Sequence, residues 1–181
     1  MMAPLWLLLA SLCAFCASSW AAVTLGPEFA PYQDMKQCLS KGARWYVVHR
    51  NVKEGAFGED DYCLSDTQES DVVDGEARFR FSYGDGHERN ATFVFKSTDG
   101  IHYNTFEAHV DGAPKAVKYN MLFVDCDTCK IMKCPTSEKC LMSVRESALR
   151  HGVPDHCYYL YGVLCGTENK HEVSDSSCLD D

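Results

Sequence analysis

Short runs in which aromatic and polar residues alternate dominate the middle of the chain. The clearest run is Ala77-Arg78-Phe79-Arg80-Phe81-Ser82-Tyr83, and Asn90-Ala91-Thr92-Phe93-Val94-Phe95-Lys96 repeats the pattern after a Gly84-Asp85-Gly86 turn. A period of two is typical of a strand with one buried face. Asp99-Gly100 and Asp111-Gly112 tolerate the positive φ angles that hairpin turns need. The pattern therefore predicts a series of antiparallel β-hairpins.

Further runs of the same kind complete the predicted strands. They span residues 44–52, 62–66, 103–110, 116–124, 129–134 and 140–145. About eight antiparallel strands are enough to close a small barrel around one ligand, and closure removes exposed sheet edges. The sequence thus predicts an all-β fold, an eight-stranded antiparallel barrel. A β-sandwich with one helix is the alternative, since strand spacing alone does not separate the two architectures.

The last predicted element has a helical period. Apolar residues recur there at spacings of three and four: Cys157, Leu160, Tyr161, Leu164 and Cys165. Pro154 suits the start of a helix, and Gly166 suits its end. We expect a carboxy-terminal helix over residues 154–165 that packs beside the barrel. Its two cysteines lie about two turns apart, so both can face the barrel wall.

An apolar run from Leu5 to Ala17 opens the chain, and small residues follow it around Ser19-Trp20-Ala21. The run has the length of a signal-peptide core and is too short to span a bilayer. We therefore expect a signal peptide over residues 1–21, secretion of the protein, and one domain over residues 22–181. A buried amino-terminal helix is the alternative. No later segment approaches the length of a membrane span.

The charge of the chain is acidic. Asp and Glu number 26 against 17 Lys and Arg, which gives a net charge of −9. Nucleic acids and anionic membrane surfaces both attract positive potential, so neither is an expected partner. The charge is compatible with a cationic ligand, and equally with solubility alone.

The cysteines fit an exported protein. Of eleven, Cys13 and Cys16 lie in the expected signal peptide, and the nine that remain are Cys38, Cys63, Cys126, Cys129, Cys134, Cys140, Cys157, Cys165 and Cys178. Disulfides are expected outside the cell, and an odd number leaves at least one thiol free or bonded to another molecule. We therefore expect a monomer unless that thiol joins two copies.

Two other interpretations of the cysteines are weaker. A zinc site at Cys126, Cys129, Cys134 and Cys140 would need reduced thiolates outside the cell. The Cys126-Asp127-Thr128-Cys129 sequence has redox spacing but lacks the strand-helix-strand context of a redox motif. We expect neither a metal nor a cofactor.

No pattern of catalytic residues is present in the sequence. The seven histidines lack metal-ligand spacing, such as two histidines four residues apart on a helix. Neither a nucleophile elbow nor a phosphate-binding loop occurs. His156 and Cys157 are adjacent, but the cysteine is expected in a disulfide. We expect the protein not to be an enzyme.

A series of short motifs runs across nearly the whole mature chain in a characteristic order. They are Trp45-Tyr46-Val47-Val48, Cys63, Phe123 to Ile131, Cys140-Leu141-Met142, Val153 to Cys157, Leu164-Cys165-Gly166 and Cys178. Together they resemble the tick salivary lipocalins, the histamine-binding protein family. The resemblance implies a lipocalin-type barrel that is secreted and sequesters a small host mediator to evade host defence. An alternative that it allows is an immunomodulator that binds a host protein or cell, with the barrel as scaffold.

The resemblance also implies three disulfides. Cys63 would join Cys178, Cys129 would join Cys157, and Cys140 would join Cys165. It leaves Cys38, Cys126 and Cys134 without an assigned partner.

The family resemblance bears on the class of ligand as well. Amine-binding members carry an acid directly after the cysteine that corresponds to Cys129 and a second acid on the following strand, whereas this chain has Lys130 and Cys140-Leu141-Met142. Burying an ammonium ion without a partner carboxylate costs on the order of several kcal/mol in free energy. A lipid mediator or other apolar ligand is therefore favoured over histamine or serotonin. Glu107 or Glu138 remains a possible substitute acid.

The predicted ligand-binding residues share consistent strand phases. They are Trp45, Phe79, Phe81, Phe93, Phe95, Tyr119, Met121 and Phe123, with Glu107 as the candidate acid. Such side chains line ligand cavities in barrels, but they also fill barrel cores, and both roles stay open. A carboxylate on the ligand could be met by Lys118, Lys130, Arg78 or Arg80.

One further motif concerns the surface. Asn90-Ala91-Thr92 has the pattern of an N-glycosylation acceptor and lies beside a predicted hairpin turn. In a secreted protein, we expect Asn90 to carry a glycan.

Overall fold

The computed structural model describes residues 26–55, 57 and 61–179. The expected signal peptide, residues 1–21, lies outside this part of the chain. The strands are β1 Arg44–Arg50, β2 Ser65–Gln68, β3 Glu76–Tyr83, β4 His87–Lys96, β5 Thr105–Val110, β6 Val117–Val124, β7 Cys129–Lys133, β8 Cys140–Arg145 and β9 His171–Glu172. The α-helices are α1 Glu146–Leu149 and α2 Asp155–Cys165, and short 3-10 segments span Pro27–Gln33, Met35–Cys38 and Ser176–Leu179. Within the described residues, neither α-helix has the length and apolar character needed to cross a bilayer.

The first eight strands form a closed antiparallel barrel. Each strand from β2 to β8 pairs with the next, β8 pairs with β1, and β1 pairs with β2. The predicted barrel is therefore confirmed, and the sandwich alternative is wrong. The sequence prediction for residues 62–66 began too early, because Cys63 has a φ of 57° in a turn and β2 starts only at Ser65. The short ninth strand, which extends the sheet beside β1, was not predicted.

Aromatic residues from β3, β4 and β5 fill the closed half of the barrel. Phe93 stacks on Phe79 with ring centroids 4.1 Å apart and on Phe106 with centroids 4.8 Å apart. Each buried phenylalanine contributes roughly 1.5–3 kcal/mol through the apolar surface that it removes from water. The alternating aromatic residues that predicted the strands thus form the core of the barrel.

One end of the barrel is covered by the amino-terminal 3-10 segments. Met35 is buried against the aromatic core, and its backbone N–H donates to the Tyr103 carbonyl at 3.1 Å. The Asp34 carboxylate accepts from the backbone N–H groups of Lys36 and Tyr103, both at 2.9 Å. These bonds hold the segment across this end of the barrel, so the barrel interior is open at the other end.

Helix α2 lies on the outer face of the barrel, as predicted. Cys157 and Tyr161 are buried in a second core, to which Tyr46, Ile131 and Met142 contribute their outward-facing side chains. The helix ends where Gly166 takes a φ of 85°, a conformation that favours glycine.

His49 lies under the same helix. A bulge in the β1–β8 pairing between Val47 and His49 displaces the histidine, and its ring centroid is 5.1 Å from that of Tyr158 and 6.0 Å from that of Tyr161. Burial lowers the pKa of His49 to about 4, and the positive charge of Lys170 acts in the same direction. The imidazole is therefore neutral in the folded protein at physiological pH.

Four disulfides connect these elements. The pairs are Cys38 with Cys126, Cys63 with Cys178, Cys129 with Cys157, and Cys140 with Cys165. The last three are those that the family resemblance implies. The first attaches the closing 3-10 segment to the loop after β6. Cys134 is left as a buried free thiol, 3.3 Å from the Thr136 hydroxyl.

Candidate ligand-binding cavity

A cavity of about 480 Å³ lies at the end of the barrel opposite the closing segments. We call it the mouth cavity. Its lining comprises Val47, Arg50, Val52, Glu54, Gly55, Phe57, Leu64, Tyr83, Arg89, Val110, Asp111, Gly112, Ala113, Lys115, Val117, Tyr119, Lys139 and Leu141. Small-molecule sites in proteins have volumes of roughly 300–1,000 Å³, so the mouth cavity has the size of a ligand site.

A smaller space of about 70 Å³ continues from the mouth cavity into the barrel. We call it the inner cavity. Val110, Tyr119 and Leu141 line both spaces, so the two are continuous. Phe93 and Met132 line the inner cavity alone, where the barrel narrows onto its aromatic core.

Tyr119 supplies a hydroxyl at this junction. Burial raises the pKa of its phenol to about 12. The hydroxyl therefore stays protonated at neutral pH and can donate a hydrogen bond to a ligand.

The predicted ligand-binding residues divide into two groups. Phe81, Phe93 and Tyr119 line the cavities. Four others are buried in the aromatic core and line neither cavity: Trp45, Phe79, Phe95 and Met121. Of the aromatic strand residues, some therefore line a cavity and others fill the core, which are the two roles that the sequence left open.

The prediction for Phe123 was wrong. A bulge in the β6–β7 pairing between Met121 and Phe123 shifts the strand register. Phe123 consequently packs against the helix-side core outside the barrel, whereas Met121 faces the interior. A strict period of two does not reveal such a bulge, because the apolar residue fits either face.

The prediction for Glu107 was also wrong. Phe106 and Ala108 face the barrel interior, so Glu107 faces outward from β5. Its carboxylate lies 2.8 Å from the Lys96 ammonium, and that hydrogen bond lowers the pKa of Glu107. Glu138 is no substitute, since it is solvent-exposed and pairs with Lys133 at 2.8 Å.

The structure places an acid in the cavity that the sequence reasoning missed. Asp66 on β2 and Lys130 on β7 both line the inner cavity, and the Lys130 ammonium lies 3.2 and 3.3 Å from the two carboxylate oxygens. The same ammonium lies 4.9 Å from the centroid of the Trp45 ring. Asp66 pairs with Trp45 in the β1–β2 register, so both side chains face the barrel interior. The alternation along β2 could therefore have pointed to Asp66.

The rim of the mouth cavity carries an excess of basic side chains. Arg89, Lys115 and Lys139 line it and have no ion-pair partner among the described residues. Arg50 also lines the rim, but it forms a buried ion pair with Asp61. A negatively charged ligand group would therefore meet free cations at the rim.

The basic residues expected to meet a ligand carboxylate do not line the rim. Arg78 pairs with Asp111 at 3.2 Å, and Arg80 pairs with Glu88 at 2.6 Å on the outer surface. Lys118 is exposed opposite Glu107, on the outer face. Only Lys130 of the expected set faces the interior.

One group of side chains in the described part of the chain has metal-ligand spacing. It comprises Cys129, His156 and Cys157. Both sulfurs are joined in a disulfide, so the group offers no thiolate to a metal.

Asn90 lies on β4 and is exposed to solvent. An acceptor asparagine must be accessible, so the geometry is compatible with modification. Glycosylation at Asn90 stays a prediction.

Comparisons with known proteins add to this geometry. The family profile described as tick histamine binding protein matches residues 26–180. A solved structure of AM182 in complex with serotonin aligns with a TM-score of 0.60 at 16% identity, covering 76% of this chain and 85% of that one. Japanin from Rhipicephalus appendiculatus, bound to cholesterol, aligns with a TM-score of 0.57 at 10% identity, covering 74% and 93%.

The fold is also similar to that of lobster apocrustacyanin A1, with a TM-score of 0.52 at 10% identity, covering 77% of this chain and 79% of that one. No curated protein sequence matches significantly. At such identities the structural neighbours establish the barrel fold alone.

Proposed function

Because the chain belongs to the tick histamine-binding protein family, we propose that it sequesters a small apolar ligand that carries one acidic group. The observation that carries the proposal is the mouth cavity of about 480 Å³, which is apolar inside and basic at its rim. Solved relatives hold small molecules of different kinds, serotonin in one and cholesterol in another. Ligand class within this fold must therefore follow from the side chains of each cavity.

The apolar part of the ligand would lie against aromatic rings below the rim. Phe57 stacks on Tyr83 with ring centroids 4.7 Å apart, and its ring centroid is 5.1 Å from that of Phe81. Burial of apolar ligand surface there would contribute about 25 cal/mol per Å² before the entropic cost of association.

The acidic group of the ligand would lie at the rim. Arg89, Lys115 and Lys139 provide positive charge there in a protein whose net charge is −9. A local excess of cations against an acidic background attracts anions and repels amines. A fatty acid or an oxygenated fatty acid has both required features, a long apolar tail and a single carboxylate.

We propose further that this ligand is a host mediator and that its capture serves evasion of host defence. Four disulfides suit an oxidising, extracellular compartment. Cleavage of a signal peptide after Ala21 would leave residues 22–181 as the secreted binding domain.

Titration calorimetry tests the proposed ligand class with two molecules that share the same apolar tail, one with a carboxylate and one with an uncharged methyl ester in its place. A long-chain fatty acid should bind more tightly than its methyl ester, because only the acid can use the basic rim. Lys115→Gln should reduce the preference for the acid about two- to fivefold, the range of a solvent-exposed ion pair. Lys118→Gln is the matched control, since Lys118 faces outward, and it should leave the preference intact. Equal affinity for acid and ester would contradict the proposal.

A further inference from the structure

Asp66, Trp45 and Lys130 form a compact group on the inner wall of the barrel. The Lys130 ammonium lies 3.2 Å from the nearer carboxylate oxygen of Asp66 and 4.9 Å from the centroid of the Trp45 ring. The Lys130 and Asp66 side chains are only 3% and 7% exposed, so water barely reaches the pair. A carboxylate and an aromatic face are the two groups that proteins use to hold an alkylammonium ion.

Ser143 adds a third polar group to the same wall. It lies opposite Lys130 in the β7–β8 register and also lines the inner cavity. The residue is 1% exposed, and its hydroxyl has no hydrogen-bond partner among the described residues. A buried hydroxyl without a partner is uncommon in native proteins, and this one is available to a molecule that enters the inner cavity.

The ion pair is poorly explained by stability alone. Replacing a buried ion pair with apolar side chains of similar volume is often neutral or stabilising, because removing two charges from water is costly. Lys130 and Asp66 also border an open space rather than the filled aromatic core. A role in ligand selection would explain why two charged side chains lie beside that space.

We propose that Asp66 and Trp45 form an ammonium-binding site and that the protein's own Lys130 occupies it. The tethered ammonium takes the place of a free amine ligand, which would have to lose translational freedom to compete for the same carboxylate. Lys130 is thus a specificity-determining residue that closes the barrel interior to primary amines. This inference rests on the proposed function in one respect, namely that small molecules enter the barrel.

Removal of the lysine side chain beyond Cβ tests the proposal. Lys130→Ala deletes three carbons and the ammonium, a fragment with the composition of n-propylammonium. The variant should bind n-propylammonium at least about tenfold more tightly than the unmodified protein, measured by calorimetry or by the rise in melting temperature. n-Propanol, which lacks the charge, and propionate, which reverses it, should produce no such gain.

The double variant Lys130→Ala/Asp66→Asn is the matched control. It retains the vacated space but lacks the carboxylate, so the gain in affinity for n-propylammonium should disappear. An equal gain in the single and double variants, or no gain in either, would overturn the proposal. If Lys130→Ala folds poorly, refolding with n-propylammonium serves the same purpose. Recovery with the amine but not with propanol supports the site, and absence of recovery counts against it.

Failure of this inference is distinguishable from failure of the proposed function. Fatty-acid binding by the unmodified protein, without amine binding by Lys130→Ala, would leave the proposed function in place and refute the ammonium site. Amine binding by Lys130→Ala, without fatty-acid binding by the unmodified protein, would support the ammonium site and refute the proposed function.

Discussion

Phe79 and Phe93 stack face to face from neighbouring strands, with ring centroids 4.1 Å apart and planes 17° from parallel. Phe93 borders the inner cavity, whereas Phe79 does not. The stack therefore marks the boundary between the part of the barrel filled by its own side chains and the part open to a ligand.

Substitutions on the two sides of this boundary should separate stability from binding. Phe79→Ala removes a ring from the filled core and should lower the free energy of unfolding by about 3–5 kcal/mol. Phe81→Ala removes a ring from the cavity wall and should weaken fatty-acid binding about tenfold with a smaller loss of stability. Urea denaturation and calorimetry on both variants provide the measurements. Equal effects of the two changes on both quantities would refute the boundary.

The Cys38–Cys126 bridge closes a sequence separation of 88 residues. Treated as a loop-entropy constraint on the unfolded chain, a bridge of this span contributes about 4–5 kcal/mol. The double variant Cys38→Ser/Cys126→Ser should lose stability of that order in urea denaturation. Non-reducing peptide mapping of the unmodified protein checks the pairing itself, and a peptide joining Cys38 to Cys134 would contradict it.

His49 should make the fold sensitive to mild acid. Its pKa falls from 6.5 to about 4 on folding, so only the unfolded chain takes up this proton between those values. Stability attributable to the neutral imidazole is complete above pH 6.5 and decreases as the pH falls toward 4. The difference in unfolding free energy between the unmodified protein and His49→Gln should be constant above pH 6.5 and should shift against the unmodified protein below it. A difference that does not change with pH would show that His49 titrates normally.

Histamine should bind weakly or not at all. Asp66, the one acid among the described residues that line the inner cavity, already holds the Lys130 ammonium, and Glu107 faces outward. Calorimetry with histamine should give little heat, and Glu107→Gln should not change the result. Tight histamine binding that Glu107→Gln abolishes would mean that the amine site had been placed on the wrong face of β5.

The strands, the turns and the helix were predictable from the sequence because their signals are local, whereas the choice of a barrel over a sandwich depends on the pairing of β1 with β2. Alternation around Phe79 and Phe93, Asp-Gly turns and the helical spacing from Cys157 to Cys165 each depend on a few neighbouring residues. The three disulfide pairs that join Cys63, Cys129 and Cys140 to their partners span 115, 28 and 25 residues, so no local signal gives them. They came from the family resemblance, which matches positions in the sequence.

The site was less predictable because it depends on partners far apart in the sequence. Asp66 and Lys130 are 64 residues apart, and nothing near either residue indicates the other. Lys96 lies across the β4–β5 pair from Thr105 and reaches Glu107 on the outer face, which fixes the direction of that acid. The bulge before Phe123 has no local signal either, because both faces of β6 are apolar at that point.

The closure between β1 and β2 has a consequence for motion. It is made by three residue pairs, from Arg44 with Thr67 to Tyr46 with Ser65, whereas β3 and β4 share eight. Fewer interstrand hydrogen bonds mean a lower free energy of local opening, so this seam should exchange its amide hydrogens before the rest of the sheet. Cys63 lies just before β2 and is bonded to Cys178 in the tail, while β9 extends the other half of β1. The tail thus stabilises the β1–β2 pairing from both sides. Reduction of the Cys63–Cys178 disulfide would allow the barrel wall to open locally between β1 and β2.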